Sequence, residues 1–147
     1  MAERLGDTLI KKGLINQEQL DKALAEQSKS GKFLGDILVK LQFVTEDGLL
    51  KALAEQFETQ YVALSNVRIN PDIAKMVPRD MVWQHKVMPI EMRNSILLIA
   101  IPNPLDMWPM SHFQEKLKLS EVQFVLATKT DILRTIEKYY GPEIGAK

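Results

Sequence analysis

Apolar residues in the first third of the chain recur at helical spacing, and they do so twice. Leu5, Leu9 and Ile10 share one helical face, Gly13 offers the left-handed conformation that ends a helix, and Asn16 with Gln19 three residues on marks a helix start. Leu20, Ala23, Leu24 and Gln27 then stand at i, i+3, i+4 and i+7 on one stripe. Displaced by 29 positions, Leu34-Gly35-Asp36, Leu38, Leu49, Ala52, Leu53 and Gln56 repeat the pattern, with Thr45 as cap in place of Asn16. Twelve of the 23 aligned positions between Leu5–Gln27 and Leu34–Gln56 are identical. The pattern predicts two helical hairpins, joined by Ser28 to Phe33, that stack as a small four-helix lobe with approximate internal symmetry.

From Phe57 the period changes. Tyr61 to Leu64 reads as an extended connection, and Asn70-Pro71-Asp72 as a helix start. Pro78 opens a second short helical stretch that takes in Met81, Val82 and His85. Val87 to Met92, Ile96 to Ile101 and Val122 to Leu126 read as strands, the first two linked by a turn at Arg93-Asn94-Ser95. A helix follows Asp106 and runs to about Leu119 with Pro109 in its first turn. A last helix starts at Thr128 or Thr130, carries Ile132, Leu133, Ile136 and Tyr140 on one stripe, and stops at Gly141-Pro142. The predicted fold class is α+β: residues 1–57 form the duplicated helical lobe, and residues 58–147 a small three-stranded sheet with flanking helices.

Composition narrows the function classes. The chain has 147 residues, 19 Lys+Arg against 19 Asp+Glu, and no Cys, which excludes thiol chemistry, Cys-ligated zinc and disulfides. Zero net charge argues against a nucleic-acid polymer, whose binding rests on many Lys and Arg contacts to phosphate. Splitting the chain after Gln56 gives eight basic and nine acidic residues, then eleven and ten, so neither part is a basic patch. Met1 to Ile10 lacks the apolar core of a signal peptide, and the longest apolar run, Ile96 to Ile101, is about a third of a membrane span. A cytoplasmic protein with no direct membrane insertion is expected. No phosphate-cradling G-x-x-x-x-G-K-[ST] loop, nucleophile elbow or His-carboxylate metal signature occurs, so catalysis is not expected here. His85 and His112, far apart and unaccompanied, are assigned structural or surface roles, and Trp83, Trp108 and the seven Met core or interface roles.

Duplicated hairpins bury each other's apolar faces, so the leucine stripes read equally well as core. Three details point beyond that. A Gln ends each apolar stripe, where another Leu would pack without needing a hydrogen-bond partner. Gly6 and Gly35 lie one residue into the first helix of each copy, at a cost of about 1 kcal/mol relative to Ala, and allow a backbone or a flat ligand to approach closely. Arg4 precedes the first Leu-Gly and Phe33 the second, and both side chains can stack on a planar base. The duplicated pattern describes two similar half-sites for a ligand that is itself two-fold symmetric, with a flat ring at each end.

Arg4-Leu5-Gly6, Leu9-Ile10, Gly13, Leu20, Leu24 and Gln27, followed by Leu34-Gly35 and its repeat through Leu49, Leu53 and Gln56, resemble the MshEN domain. That is the N-terminal domain of ATPases driving type II secretion and type IV pilus assembly, and several members bind the bacterial second messenger cyclic di-GMP. Val77-Pro78, His85, Val87-Met88-Pro89, Ile96 to Ile101, Asn103-Pro104-Leu105-Asp106 and Tyr139-Tyr140-Gly141 are similar to its second lobe. The resemblance implies cyclic di-GMP as ligand and no other cofactor. It implies that Arg4 contacts a guanine or a phosphate, that Leu5, Leu34, Leu9, Leu38, Leu20, Leu49, Leu24 and Leu53 pack against the ligand, and that Gly6 and Gly35 give it backbone access. Gln27 and Gln56 would hydrogen-bond base edges, with Asp36 and Asp106 as further contacts.

Two departures from the family pattern stand out. Gln42 replaces Gly at the turn of the second copy, and Phe33 replaces a basic residue, removing a phosphate or base partner while keeping a stacking surface. Loss of one charge-assisted contact, worth about 1.5–3 kcal/mol, lowers affinity by an order of magnitude or more. The resemblance equally implies an alternative: a docking domain that contacts the cytoplasmic part of an inner-membrane assembly protein without any nucleotide.

Overall fold

The two copies of the repeat form helices with matching starts. In the computed structural model, which describes residues 5–105 and 108–142, α1 (Leu5–Lys11) and α2 (Gln17–Ser30) are followed by α3 (Leu34–Lys40) and α4 (Glu46–Gln56). Arg4, Asp106 and the side chain of Trp108 lie outside the described residues. Asn16 closes a capping box at the start of α2: its side chain accepts from Gln19 N–H at 2.8 Å, and its own N–H donates to Gln19 Oε1 at 3.0 Å. Thr45 does half of this for α4, accepting from Gly48 N–H at 3.0 Å.

The turn of the second copy survives the loss of its glycine. Gly13 has φ 75° and Gln42 has φ 64°, both left-handed. Gly13 N–H donates to Ile10 O and Leu14 N–H to Leu9 O, both at 2.9 Å, and Gln42 N–H donates to Val39 O and Phe43 N–H to Leu38 O, both at 3.0 Å, so the same pair of bonds that satisfies the helix-end carbonyls forms twice. α2 packs on α3 and α1 on α4, so the main helix–helix packing joins the copies to each other. Leu9, Ala23, Ile37, Leu38, Leu49, Leu50, Ala52 and Leu53 are buried there.

The chain divides into two compact units, Met1–Glu58 and Thr59–Lys147. In the second, a 3-10 turn at Leu64–Asn66, α5 (Ile73–Met76) and α6 (Arg79–His85) precede β1 (Met88–Arg93) and β2 (Ile96–Ile101). α7 (Trp108–Lys116), β3 (Glu121–Leu126) and α8 (Lys129–Tyr140) complete it. The sheet is mixed, in the order β1-β2-β3: β1 and β2 are antiparallel and β2 and β3 parallel. Asn94 and Ser95, with φ 52° and 67°, make the two-residue connection whose twist matches an antiparallel hairpin. The parallel pair cannot be joined by a tight turn, and α7 supplies the crossover. The β1–β2 register shifts between Pro89 and Glu91, a bulge next to a proline that blunts this edge strand. On the other side Tyr61 bridges Leu126 and Val62 N–H donates to Leu126 O at 2.8 Å, so the extended connection lies beside the end of β3, and Leu64, read as its last residue, already begins the 3-10 turn.

Several boundaries differ from the sequence expectation, β3 starting at Glu121 rather than Val122 and Arg93 ending β1 rather than opening the turn among them. β1 starts and ends one residue later than Val87 to Met92, because Val87 follows the left-handed Lys86 that closes α6. The helix after Pro78 starts at Arg79, with the proline as its N-cap residue. α7 ends at Lys116 because Leu117 to Ser120 turns back into β3, with Lys118 left-handed at φ 54°. Burial raises the pKa of the Tyr140 phenol well above its ordinary value, so it stays protonated and donates to Ile73 O at 3.4 Å.

A residue with a side chain spends about 1–2 kcal/mol in the left-handed region, and glycine gives part of that back through its freer unfolded chain. Gln42→Gly is therefore expected to stabilise the protein by up to about 1 kcal/mol, read as a higher urea midpoint. An unchanged midpoint would mean that the Gln42 side chain makes an offsetting contact.

Candidate functional site

The two helical glycines are fixed by packing inside the first unit. A methyl group on Gly6 would stand 2.6 Å from Leu20 Cδ1 and 3.0 Å from Leu20 Cδ2. A methyl group on Gly35 would stand 2.9 Å from Leu49 Cδ2 and 2.6 Å from Phe33 Cε2. Each short helix thus receives, against its bare backbone, the first leucine of the following stripe. Leu20 and Leu49 are buried by this contact and its surroundings.

The candidate residues divide by accessibility. Leu9, Leu20, Leu38, Leu49 and Leu53 are buried, as are Gly6 and Gly35. Leu5, Leu34, Phe33, Gln27 and Gln56 are half-buried, and Asp36 is exposed. Leu24 is 42% exposed although Leu53, its counterpart in the repeat, is 1% exposed. α4 buries Leu50 and Ala54 where α2 has the exposed Asp21 and Ala25, so α4 is covered over more of its circumference. Gln27 Nε2 donates to Lys32 O at 3.1 Å, tying the end of the first stripe to the loop that leads into the second motif. Gln56 lines a cleft of about 370 Å³ with Thr8, Lys11, Lys12 and Glu55, where α1 meets the end of α4. Lys12 Nζ lies 2.5 Å from Glu55 Oε2 across it, an exposed ion pair of small energetic weight.

Two features escape a reading of the sequence. An apolar depression of about 470 Å³ surrounds the helix turns, lined by Leu14, Val39, Gln42, Phe43, Val44, Thr45 and Gly48. Its only sequence signal is the apolar residue that follows each left-handed position, Leu14 and Phe43. In the second unit α6 and α7 bring His85 Nε2 within 2.6 Å of His112 Nδ1, and the His85 ring lies edge-on to Phe113. The pair is a hydrogen bond between helices, in keeping with a structural role, and nothing in its 27-residue separation announces it. Among the described residues no group of three or more His, Cys, Asp or Glu is placed to hold a metal ion, and no helix is long and apolar enough to cross a membrane. In the loop after β2, Asn103 Oδ1 accepts from Leu105 N–H at 2.9 Å, so that loop is built on local turn chemistry.

A duplicated helical unit followed by a small mixed-sheet unit defines the class, and the chain belongs to the MshEN domain family, whose model matches residues 57–146. That match covers the second unit and stops short of both Leu-Gly motifs. The chain is 31% identical, over 147 residues and 98% of its length, to the type IV pilus assembly ATPase PilB of Myxococcus xanthus. It is 27% identical over 145 residues to PilB of Thermus thermophilus. It spans 26% and 16% of those two relatives. A solved structure of MshE with cyclic di-GMP superposes with a TM-score of 0.83 at 29% identity, covering 94% of this chain and 99% of that one. The N-terminal domain of XpsE superposes at 0.73 with 18% identity, which speaks for the fold alone.

The glycine contacts are testable without any ligand. Gly6→Ala drives a methyl group into Leu20, and overpacking of this kind costs about 1–3 kcal/mol, less the 0.5–1 kcal/mol that alanine returns in a helix. A net loss of about 1–2 kcal/mol is expected in denaturant titrations. A double-mutant cycle with Leu20→Ala should show strong coupling. Additivity would mean that Leu20 does not need the bare backbone of Gly6.

Proposed function

We propose that this chain is a non-catalytic regulatory domain that binds cyclic di-GMP through its two Leu-Gly-to-Gln motifs, one for each half of the dinucleotide. The observation that carries this reading is the likeness to MshE solved with cyclic di-GMP, at 29% identity over nearly the whole of both chains. The repeated helix starts and turns support it, since they offer two similar approaches to a two-fold symmetric ligand.

In this reading Leu5, Leu24, Leu34 and Phe33 offer apolar surface to the guanine rings, while Leu9, Leu20, Leu38, Leu49 and Leu53 form the packed floor beneath them. Gly6 and Gly35 keep that floor close to the helix backbone. Gln27 and Gln56 hydrogen-bond the base edges; the bond from Gln27 Nε2 to Lys32 leaves its Oε1 as an acceptor for guanine N–H groups. Arg4 meets a base or a phosphate, and Asp36 and Asp106 are further polar contacts. A net charge of zero is compatible with two phosphates, as it is not with a long polymer. Binding then alters how the domain docks on type IV pilus or type II secretion proteins, drawing it from the cytoplasm to the inner membrane through a protein partner.

Isothermal titration with cyclic di-GMP tests this directly, and absence of binding in the micromolar range sinks it. Gln27→Ala and Gln56→Ala are each expected to weaken binding about tenfold, the weight of one or two hydrogen bonds, while thermal stability is largely retained. Loss of stability with unchanged affinity would assign both residues to the scaffold.

A second reading, a docking domain that needs no nucleotide, draws support from the burial of five motif leucines in the protein core. Capture of the cytoplasmic part of an inner-membrane assembly protein, unchanged by added cyclic di-GMP, would favour it.

A further inference from the structure

The second unit carries a cleft that neither reading above uses. It measures about 220 Å³ and lies where the 3-10 turn at Leu64–Asn66, with Val67 after it, meets α8. Its walls are part apolar and part cationic. Leu64, Val67 and Tyr139 supply apolar surface, Ser65 an exposed hydroxyl, and Arg134 and Lys138 exposed positive charges. The residues that α8 contributes stand at positions 131, 134, 135, 138 and 139, along one stripe of the helix, while Ile132 and Ile136 beside that stripe are buried in the core.

The polar groups of the cleft are unequally engaged. Thr135 Oγ1 donates to Asp131 O at 2.7 Å, so that hydroxyl is already bonded within α8. Tyr139 OH accepts from Ile69 N–H at 3.4 Å, which ties the ring in place as a wall, and Lys138 Nζ stands 5.5 Å from the centre of that ring. Arg134 and Lys138 form no ion pair among the described residues.

Size and charge select the occupant. Small-molecule sites enclose about 300–1,000 Å³, so this cleft suits one side chain of a larger partner better than a whole ligand. An anionic membrane surface is met by clusters of about four to eight Lys and Arg. Here two cations share their stripe with the Asp131 carboxylate, which repels a field of phosphates but leaves room for one acidic group. Arg and Tyr beside a small apolar pocket are residue types that anchor protein–protein contacts. We infer that the cleft docks an acidic segment of a protein partner, with one apolar side chain seated on Leu64, Val67 and Tyr139 and an adjoining carboxylate on Arg134 and Lys138. The site lies wholly within the second unit, so it goes beyond the cyclic di-GMP reading and holds whether or not the first unit binds a nucleotide.

Selection of a random-peptide phage library on the full chain, without nucleotide, tests this. Enriched peptides are expected to carry Asp or Glu next to Leu, Ile or Phe. One such peptide, fluorescently labelled and followed by anisotropy, should bind the native chain and lose affinity as salt rises. Arg134→Glu and Lys138→Glu should each bind it about tenfold more weakly, with unchanged unfolding midpoints because both side chains are exposed. Replacing the peptide's apolar residue by Ser should weaken binding as well. Enrichment of no peptide, enrichment of peptides without acidic residues, or equal binding by Arg134→Glu overturns the inference. Vesicles containing phosphatidylserine serve as the control: binding to them that Arg134→Glu abolishes would overturn it in favour of a membrane surface.

Discussion

The contact of a leucine with a bare helix backbone is what the first unit depends on. α1 and α3 have seven residues each, too short to persist in water without tertiary contacts. Each is held by the leucine that the next helix presents to its glycine, Leu20 to Gly6 and Leu49 to Gly35. Glycine inside a helix costs about 1 kcal/mol relative to alanine, while burying a leucine contributes about 1.5–3 kcal/mol, so the exchange favours folding. A residue with any side chain there would separate the two helices and loosen the surfaces on which ligand contact is proposed.

The duplication is therefore more than two hairpins side by side. α2 lies on α3 and α1 on α4, so each copy completes the other. The bond from Gln27 to Lys32 adds a polar link between the end of one motif and the start of the next. Symmetry of this kind suits a symmetric ligand, yet it tolerates local divergence. Gln42 keeps the left-handed turn of Gly13, while Phe33 introduces a ring at the second entrance.

The family match and the candidate site overlap only at Asp106. The family model matches the second unit with its mixed sheet and crossover helix, while the repeat, outside that match, holds most of the residues for which ligand contact is proposed. An α+β unit with a long apolar core strand constrains many positions at once, whereas a motif made of Leu, Gly and Gln uses common residues and is visible chiefly because it occurs twice.

That doubling is what the amino-acid sequence determined by itself. Helix starts at Asn16 and Thr45 and one at Thr128 or Thr130, a turn within Arg93-Asn94-Ser95, the three strands and the α+β class all follow from local rules of capping, turn chemistry and period, which act within a few residues. Only the tertiary structure decided which identical residues share a fate. Leu24 and Leu53 occupy the same place in the repeat, yet one is exposed and the other buried, because helical period fixes a face and not what folds back to cover it. The same holds for His85 and His112, joined across two helices.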